Sequence, residues 1–254
     1  MAVIKTKGII IKRINFGEAD KILTILTSDR GKIRVIAKGM RRQNAKLCGF
    51  LELFRHNEYL LAEGRNLDIV TGVDTIESFR QISLNLRKIG LAYYVAEIID
   101  KLIEETQEAN EVFELTHTVL KEINSTKLPL DFIKGFFEFN ILSLLGFKPE
   151  LHRCIVCEKL VDTTQKFGFS VALGGLLDSD HWFSDPNTTV LTPKELDILQ
   201  QVVDCPLKNF CQQTDQTNLM DSLSKFTKIS VDFFDYMLEK NLRSKAFLEE
   251  VLEF

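Results

Sequence analysis

Phosphate loops of the Gly-x-x-x-x-Gly-Lys type, the Gly-x-Gly-x-x-Gly dinucleotide turn and the Gly-x-Ser-x-Gly elbow are all missing from this sequence. Their absence removes the common bases for nucleotide hydrolysis, nicotinamide chemistry and serine hydrolysis. Histidine is scarce, at positions 56, 117, 152 and 181 only. No His-Glu-x-x-His or His-x-Glu with Pro-Cys-x-x-Cys pattern marks a zinc protease or a deaminase. His117 falls in a helical pattern and His56 between strands, so both read as ordinary surface or packed residues. Five cysteines, an odd and irregularly placed set at 48, 154, 157, 205 and 211, argue against a secreted disulfide framework. No targeting signal is legible near Met1: the apolar run Gly8 to Ile11 stops at Lys12-Arg13, too short for a signal core or a membrane span. The expected location is the cytoplasm, and the expected role is binding rather than covalent catalysis.

With 254 residues and 45% apolar content, the chain can fill real cores. Its formal net charge of -4 is unevenly distributed. Residues 1–80 hold 15 Lys/Arg against 9 Asp/Glu, and the remainder hold 17 against 27. A basic region inside a mildly acidic protein can still seek phosphates.

The first 80 residues carry five strand signals: Lys7–Ile14, Lys21–Thr27, Lys32–Lys38, Glu58–Ala62 and Leu67–Val70. Turn material such as Thr27 to Gly31 and Glu63 to Asn66 separates them. This predicts an α+β protein whose N-terminal domain, residues 1–80, is an OB-fold β-barrel. After Ser78 the period becomes helical. Ile82, Leu86, Ile89, Tyr93, Ala96, Ile99 and Ile103 form one long stripe, and further helices are expected over 111–123 and 130–145. Gly146 and Pro149 stop the last of these. Residues 149–186 lose the helical period and read as a compact insertion in a helical domain spanning 81–254. Helices resume at Thr192-Pro193-Lys194-Glu195, a capping box with proline at the first helical position, and continue over about 219–238 and 244–252.

From Arg30 to Lys46 the chain reads RGKIRVIAKGMRRQNAK, with Arg30, Lys32, Arg34, Lys38, Arg41, Arg42 and Lys46 and no acidic residue. On a strand, alternation sends Ile33, Val35 and Ala37 inward and Lys32, Arg34 and Lys38 outward. The following loop extends the positive surface, where phosphates of a single strand can be met in a salt-dependent way. The plainer alternative is a half-buried strand that merely solvates its outer face. Bases can stack on an exposed aromatic such as Phe16 or Tyr59, although Phe16, Phe50, Phe54 and Tyr59 are residue types that more often fill a core.

Cys154-Ile155-Val156-Cys157 is a Cys-x-x-Cys knuckle, and some 20 residues later Asp178-Ser179-Asp180-His181 repeats its two-residue gap. The spacing is that of a four-cysteine zinc site with Asp178 and His181 replacing the second pair. A carboxylate is a harder ligand than a thiolate, so the alternative is a knuckle held without metal by Phe167, Phe169, Leu176 and Trp182. His152 offers a substitute ligand. A zinc ion here would be structural, since neither the His-x-Glu with Pro-Cys-x-x-Cys pattern nor the His-Glu-x-x-His pattern of catalytic zinc sites occurs.

Taken in order, several short segments resemble the bacterial RecO family over essentially the whole chain. They are Gly8 to Ile11, Gly17-Glu18-Ala19-Asp20-Lys21, Gly31-Lys32 and Ala37 to Arg42, followed by Leu144-Leu145-Gly146-Phe147-Lys148-Pro149. Further along stand Cys154 and Cys157, Phe169-Ser170 with Gly174-Gly175, and Arg243-Ser244-x-x-Phe247-Leu248. Metal-binding members of the family have a second Cys-x-x-Cys where Asp178 and His181 stand here. The resemblance implies a DNA-binding recombination mediator that binds single- and double-stranded DNA. It implies annealing of strands coated by single-strand binding protein and, with the partner RecR, loading of the recombinase RecA. A groove for the coat protein's acidic, Phe-ended tail is placed by analogy on helix 130–145, with Lys134 among Phe132, Phe136 and Phe137, although these phenylalanines read more readily as core. Two other readings stay open: an OB-fold adaptor for RNA or protein, and a zinc enzyme built on Cys154, Cys157, Asp178 and His181.

Overall fold

The computed structural model describes residues 3–42, 47–105, 109–125, 128–162, 164–205, 216–238 and 242–252. Five strands close into a barrel: β1 (Val3–Phe16), β2 (Asp20–Thr27), β3 (Gly31–Ala37), β4 (His56–Ala62) and β5 (Asp68–Glu77), in the order β1-β2-β3-β5-β4. Closure comes from the parallel β3–β5 pair and the antiparallel β1–β4 pair, which is the OB-fold arrangement. Alternation works as the sequence implies: Ile10, Leu23, Ile25, Ile33, Val35, Tyr59 and Leu61 fill the interior. The fifth strand runs seven residues further than its sequence signal, to Glu77, because Gly72 and Asp74 break the apolar alternation that would have announced it.

Four described helices accompany the barrel in the same compact unit, which comprises residues 1–126 and 242–254. They are α1 (Arg80–Ser83), α2 (Leu86–Leu102), α3 (Asn110–Ser125) and a C-terminal helix, Arg243–Leu252. The single stripe expected over 82–103 is interrupted at Leu84-Asn85. Asn85 takes an extended backbone and its side chain accepts the Lys88 N–H, so it starts a new helix rather than continuing the old one.

The C-terminal helix is anchored through its N terminus. Glu97 of α2 accepts hydrogen bonds from the Arg243 and Ser244 N–H groups at 3.1 and 2.7 Å and from the Ser244 hydroxyl at 2.5 Å, and pairs with Lys101 at 2.8 Å. Partial burial works against this carboxylate, but the bonds from Lys101, Ser244 and Arg243 outweigh it and hold its pKa at about 2. The folded pKa is therefore depressed, so the stabilisation is complete above the ordinary carboxylate range and is lost as pH falls toward 2. Glu97→Gln is expected to cost about 1 kcal/mol at neutral pH, as loss of a helix cap does. Urea unfolding from neutral pH down to about pH 2 should show the variant's deficit shrinking toward the acid end; a deficit independent of pH would overturn this assignment.

The second compact unit comprises residues 127–241. It contains α4 (Leu130–Leu144), a four-stranded sheet of β6 (Glu150–Cys154), β8 (Gly175–Leu177), β7 (Phe167–Ser170) and β9 (Thr189–Leu191) in that order, then α5 (Pro193–Asp204) and α6 (Gln216–Met237). The C-terminal helix is accordingly α7. Gly146, at φ 91°, ends α4 in a backbone conformation that favours glycine. The sheet extends past the expected insertion limit to Leu191, where Thr192 and Glu195 form the reciprocal capping box. Phe132, Phe136, Phe137, Phe139, Phe169 and Phe233 are fully buried and make this unit's core. No helix among the described residues is long and apolar enough to cross a membrane.

Candidate functional site

The basic run folds into three settings rather than one open strip. Arg30 sits in the β2–β3 turn, 3.5 Å from Asp68. Lys32 lies on the barrel's outer side as alternation requires, yet it is buried under the C-terminal end of α2. Its ammonium donates to the Asp100 carbonyl at 2.5 Å, and burial holds its pKa below the ordinary lysine range despite the carboxylates of Asp100 and Glu105. Arg34 is exposed but pairs with Glu105 at 2.7 Å. The expectation that Lys32 faces solvent is thus corrected: a strand's outer face is open only where no helix covers it, and the covering helix comes from distant sequence.

Beyond β3 the situation differs. Lys38, Arg41 and Arg42 are all exposed. The loop carrying them is tied to the β1–β2 hairpin, because Arg41 N–H donates to the Ala19 carbonyl at 2.9 Å, its guanidinium to the Gly17 carbonyl at 3.1 Å, and Gly39 N–H to the Asp20 carboxylate at 2.8 Å. Phe16, at the end of β1 beside this hairpin, is 48% exposed, and Phe50 is 44% exposed, whereas Tyr59 is in the barrel interior and Phe54 is buried against Tyr93 of α2. Three cations and an exposed ring therefore share the barrel end formed by the β1–β2 hairpin and the loop after β3. Arg30 stands at the opposite end of β3, about 26 Å from Lys38 at some 3.3 Å per residue. Lys46 lies outside the described residues.

Cys154 ends β6, Cys157 follows in the next turn, and Asp178 and His181 follow β8. The pairing of β6 with β8 brings the two halves of the motif together, and the turn before β8 uses Gly174 at φ 73°. One donor atom from each of the four residues lies within 4.8 Å of the others, so this cluster can hold a metal ion. The Cys157 Sγ–Asp178 Oδ2 and Cys154 Sγ–His181 Nδ1 distances are 3.3 and 3.8 Å. A tetrahedron with bonds of about 2.0–2.3 Å has edges of about 3.3–3.8 Å. Burial opposes ionisation of Cys154, but backbone N–H groups of Asp178, Cys157 and Val156 outweigh it and lower the thiol's pKa. His181 is raised chiefly by its 2.6 Å hydrogen bond to Asp178. His152, the substitute ligand, instead contacts Asp204 at 2.9 Å. The apolar residues Phe167, Phe169 and Leu176 are buried in the same sheet, so packing and donor convergence coexist.

The tail groove imagined on α4 is not there. Phe132, Phe136 and Phe137 are core, and Lys134 is buried against Glu138 at 2.7 Å. An apolar helix with one lysine can present that lysine to a peptide only if the phenylalanines around it are uncovered.

The fold and these two sites define a class: an OB-barrel protein with a cationic barrel end and a separate unit carrying a four-donor Cys/Asp/His cluster. Residues 1–79 match the family described as Recombination protein O N terminal, and residues 83–246 match Recombination protein O C terminal. The chain is 33% identical to the DNA repair protein RecO of Roseiflexus sp. (strain RS-1) over 251 residues, covering 98% of this chain and 86% of that protein. It is 38% identical to the DNA repair protein RecO of Dehalococcoides mccartyi (strain 195) over 177 residues, 69% of each. Against that of Acetivibrio thermocellus it is 30% identical over 250 residues, 98% of this chain and 97% of the relative. The chain belongs to the RecO family of DNA repair proteins, and its role lies in recombinational repair.

Proposed function

We propose that the chain is a non-catalytic recombination mediator that binds single- and double-stranded DNA and anneals complementary strands coated by single-strand binding protein. In partnership with RecR it promotes loading of RecA. The observation that carries this reading is the exposed cationic end of the barrel, Lys38, Arg41 and Arg42 with Phe16 beside them, in a member of a DNA repair family. Cations there neutralise phosphates, which removes the repulsion between two strands, and base pairing then supplies the driving force without a cofactor. The exposed ring offers a sequence-tolerant stacking surface. In this reading residues 1–80 act as the nucleic-acid-binding domain and 81–254 as the helical region bearing the 149–186 insertion, whose first three helices and last helix belong to the barrel's compact unit, in a cytoplasmic, nucleoid-associated protein.

Of the seven cations in the basic run, Lys38, Arg41 and Arg42 form the primary contact, and Arg30, Lys32, Arg34 and Lys46 contribute mainly to the surrounding positive potential. Zinc is the metal proposed for Cys154, Cys157, Asp178 and His181, in a structural role. Two thiolates, a carboxylate and an imidazole suit a borderline ion, and a fully protein-ligated site has no open position for catalysis.

The test is the annealing rate of two complementary oligonucleotides, each precoated with single-strand binding protein. Acceleration by the native chain, lost when Lys38, Arg41 and Arg42 are all replaced by Glu, supports both the activity and its site. No acceleration by a folded native chain would make an OB-fold adaptor for RNA or protein the better reading.

A further inference from the structure

His56, Glu77 and His117 are far apart in sequence but meet on the outside of the barrel. His56 opens β4 and Glu77 closes β5, where the register makes them direct cross-strand partners. His117 reaches the same place from the middle of α3. One carboxylate oxygen, Glu77 Oε2, lies 3.4 Å from His56 Nδ1 and is hydrogen-bonded by His117 Nε2. One donor atom from each of the three residues lies within 4.8 Å of the other two.

We propose that His56, Glu77 and His117 form a second metal site, separate from the cysteine cluster, which takes a divalent transition ion of the zinc class with water completing its coordination.

Four features support it. Two imidazoles and a carboxylate are the donor set of a borderline ion, and the 3.4 Å edge between His56 and Glu77 suits metal bonds of about 2.0–2.1 Å. His56 is 8% exposed, and its ring is packed between Phe113 and His117 with Nδ1 facing Glu77, so the ligating nitrogen is held in place before an ion arrives. The walls are apolar: Phe113 lies 5.6 Å from the His56 ring and 6.1 Å from His117, and Phe79 lies 6.0 Å from His117. The side chains of Glu77 and His117 remain 31% and 21% exposed, which leaves an entrance for the ion and its water.

Protonation is favourable as well. Burial lowers the His56 pKa, so a neutral imidazole is available. His56 Nδ1 and His117 Nε2 face Glu77 Oε2 directly, and binding exchanges any proton held between them for the ion. Two cations face the site: Lys121, whose ammonium is 3.9 Å from the other Glu77 oxygen and can swing into water, and Lys7, which acts on His56 at longer range. An ion held here would tie α3 to β4 and β5 and so act as a clip between helix and barrel.

Cobalt titration of the full chain tests the proposal, because Co2+ substitutes for zinc and reports its ligands. An ion at Cys154 and Cys157 shows thiolate charge transfer in the near ultraviolet; one at the histidine site shows only visible ligand-field bands. The expected result is a population of bound Co2+ without the thiolate band. His117→Gln and, independently, Glu77→Gln should each weaken that population at least about tenfold, with any thiolate band unchanged. Circular dichroism identifies a variant that has failed to fold, in which case the other carries the test. Binding accompanied only by thiolate bands, thiolate-free bands that survive in folded variants, or no Co2+ binding would overturn the site.

Discussion

Replacing Lys38, Arg41 and Arg42 together by glutamate is expected to reduce single-stranded DNA affinity about 50-fold or more at about 0.15 M salt. Each phosphate contact on a single strand contributes about 0.7 to the slope of log affinity against log salt. Three lost contacts should therefore take about 2 off that slope, and at about 0.15 M this corresponds to the stated loss before any repulsion by the new carboxylates. The three side chains are exposed, so thermal unfolding should change little; Arg41 alone also holds the Gly17 carbonyl. Arg30→Ala, at the far end of β3, should weaken binding by less than any one reversal in the loop. Fluorescence anisotropy over a salt series measures both quantities. An unchanged slope in the triple variant, or an equal loss in Arg30→Ala, would move the contact surface elsewhere on the barrel.

The second large effect is expected in the core of the other unit. Lys134 and Glu138 are 6% and 1% exposed and 2.7 Å apart, and Glu138 also accepts the Ser230 hydroxyl at 2.5 Å. Lys134→Ala leaves a buried carboxylate without its ammonium, a change that typically costs about 3–5 kcal/mol. Replacing both charges, as Lys134→Met with Glu138→Met and Ser230→Ala, should recover most of the loss, because a buried ion pair adds little over well-packed apolar groups. Chemical denaturation of the three proteins decides it. A loss below about 1 kcal/mol in Lys134→Ala would mean that Glu138 finds water or neutralises at little cost. The result matters for function, since any failure of Lys134→Ala to engage a protein tail would follow from lost stability rather than from a lost contact.

The barrel strands were legible from their Ile, Val and Thr content and the turn residues between them, and the start of α5 was legible because a capping box is a local device. Both halves of the Cys/Asp/His cluster were readable as equal gaps, since a knuckle places its two donors through its own turn. Less visible was the far half of β5, where Gly72 and Asp74 interrupt the pattern while main-chain pairing with β4 continues. Phe16 and Phe50 carry core-type side chains on an exposed barrel surface, which no residue type announces.

By itself, then, the sequence determined the local properties: which segments are strand or helix, where the capping box starts α5, which loop is rich in cations, and which donors are spaced for a metal. Those depend on neighbours one to four residues away, through side-chain alternation, capping and turn geometry. Only the tertiary structure decided which of these groups remain available. It placed Asp100 over Lys32 and Glu105 beside Arg34, left Lys38, Arg41 and Arg42 exposed beside the β1–β2 hairpin, and closed the phenylalanines of α4 into a core. It also brought His56 and His117 to a single carboxylate across separations of 21 and 40 residues. The physical reason is the same in each case: solvent exposure and charge pairing are set by what packs against a residue from distant sequence.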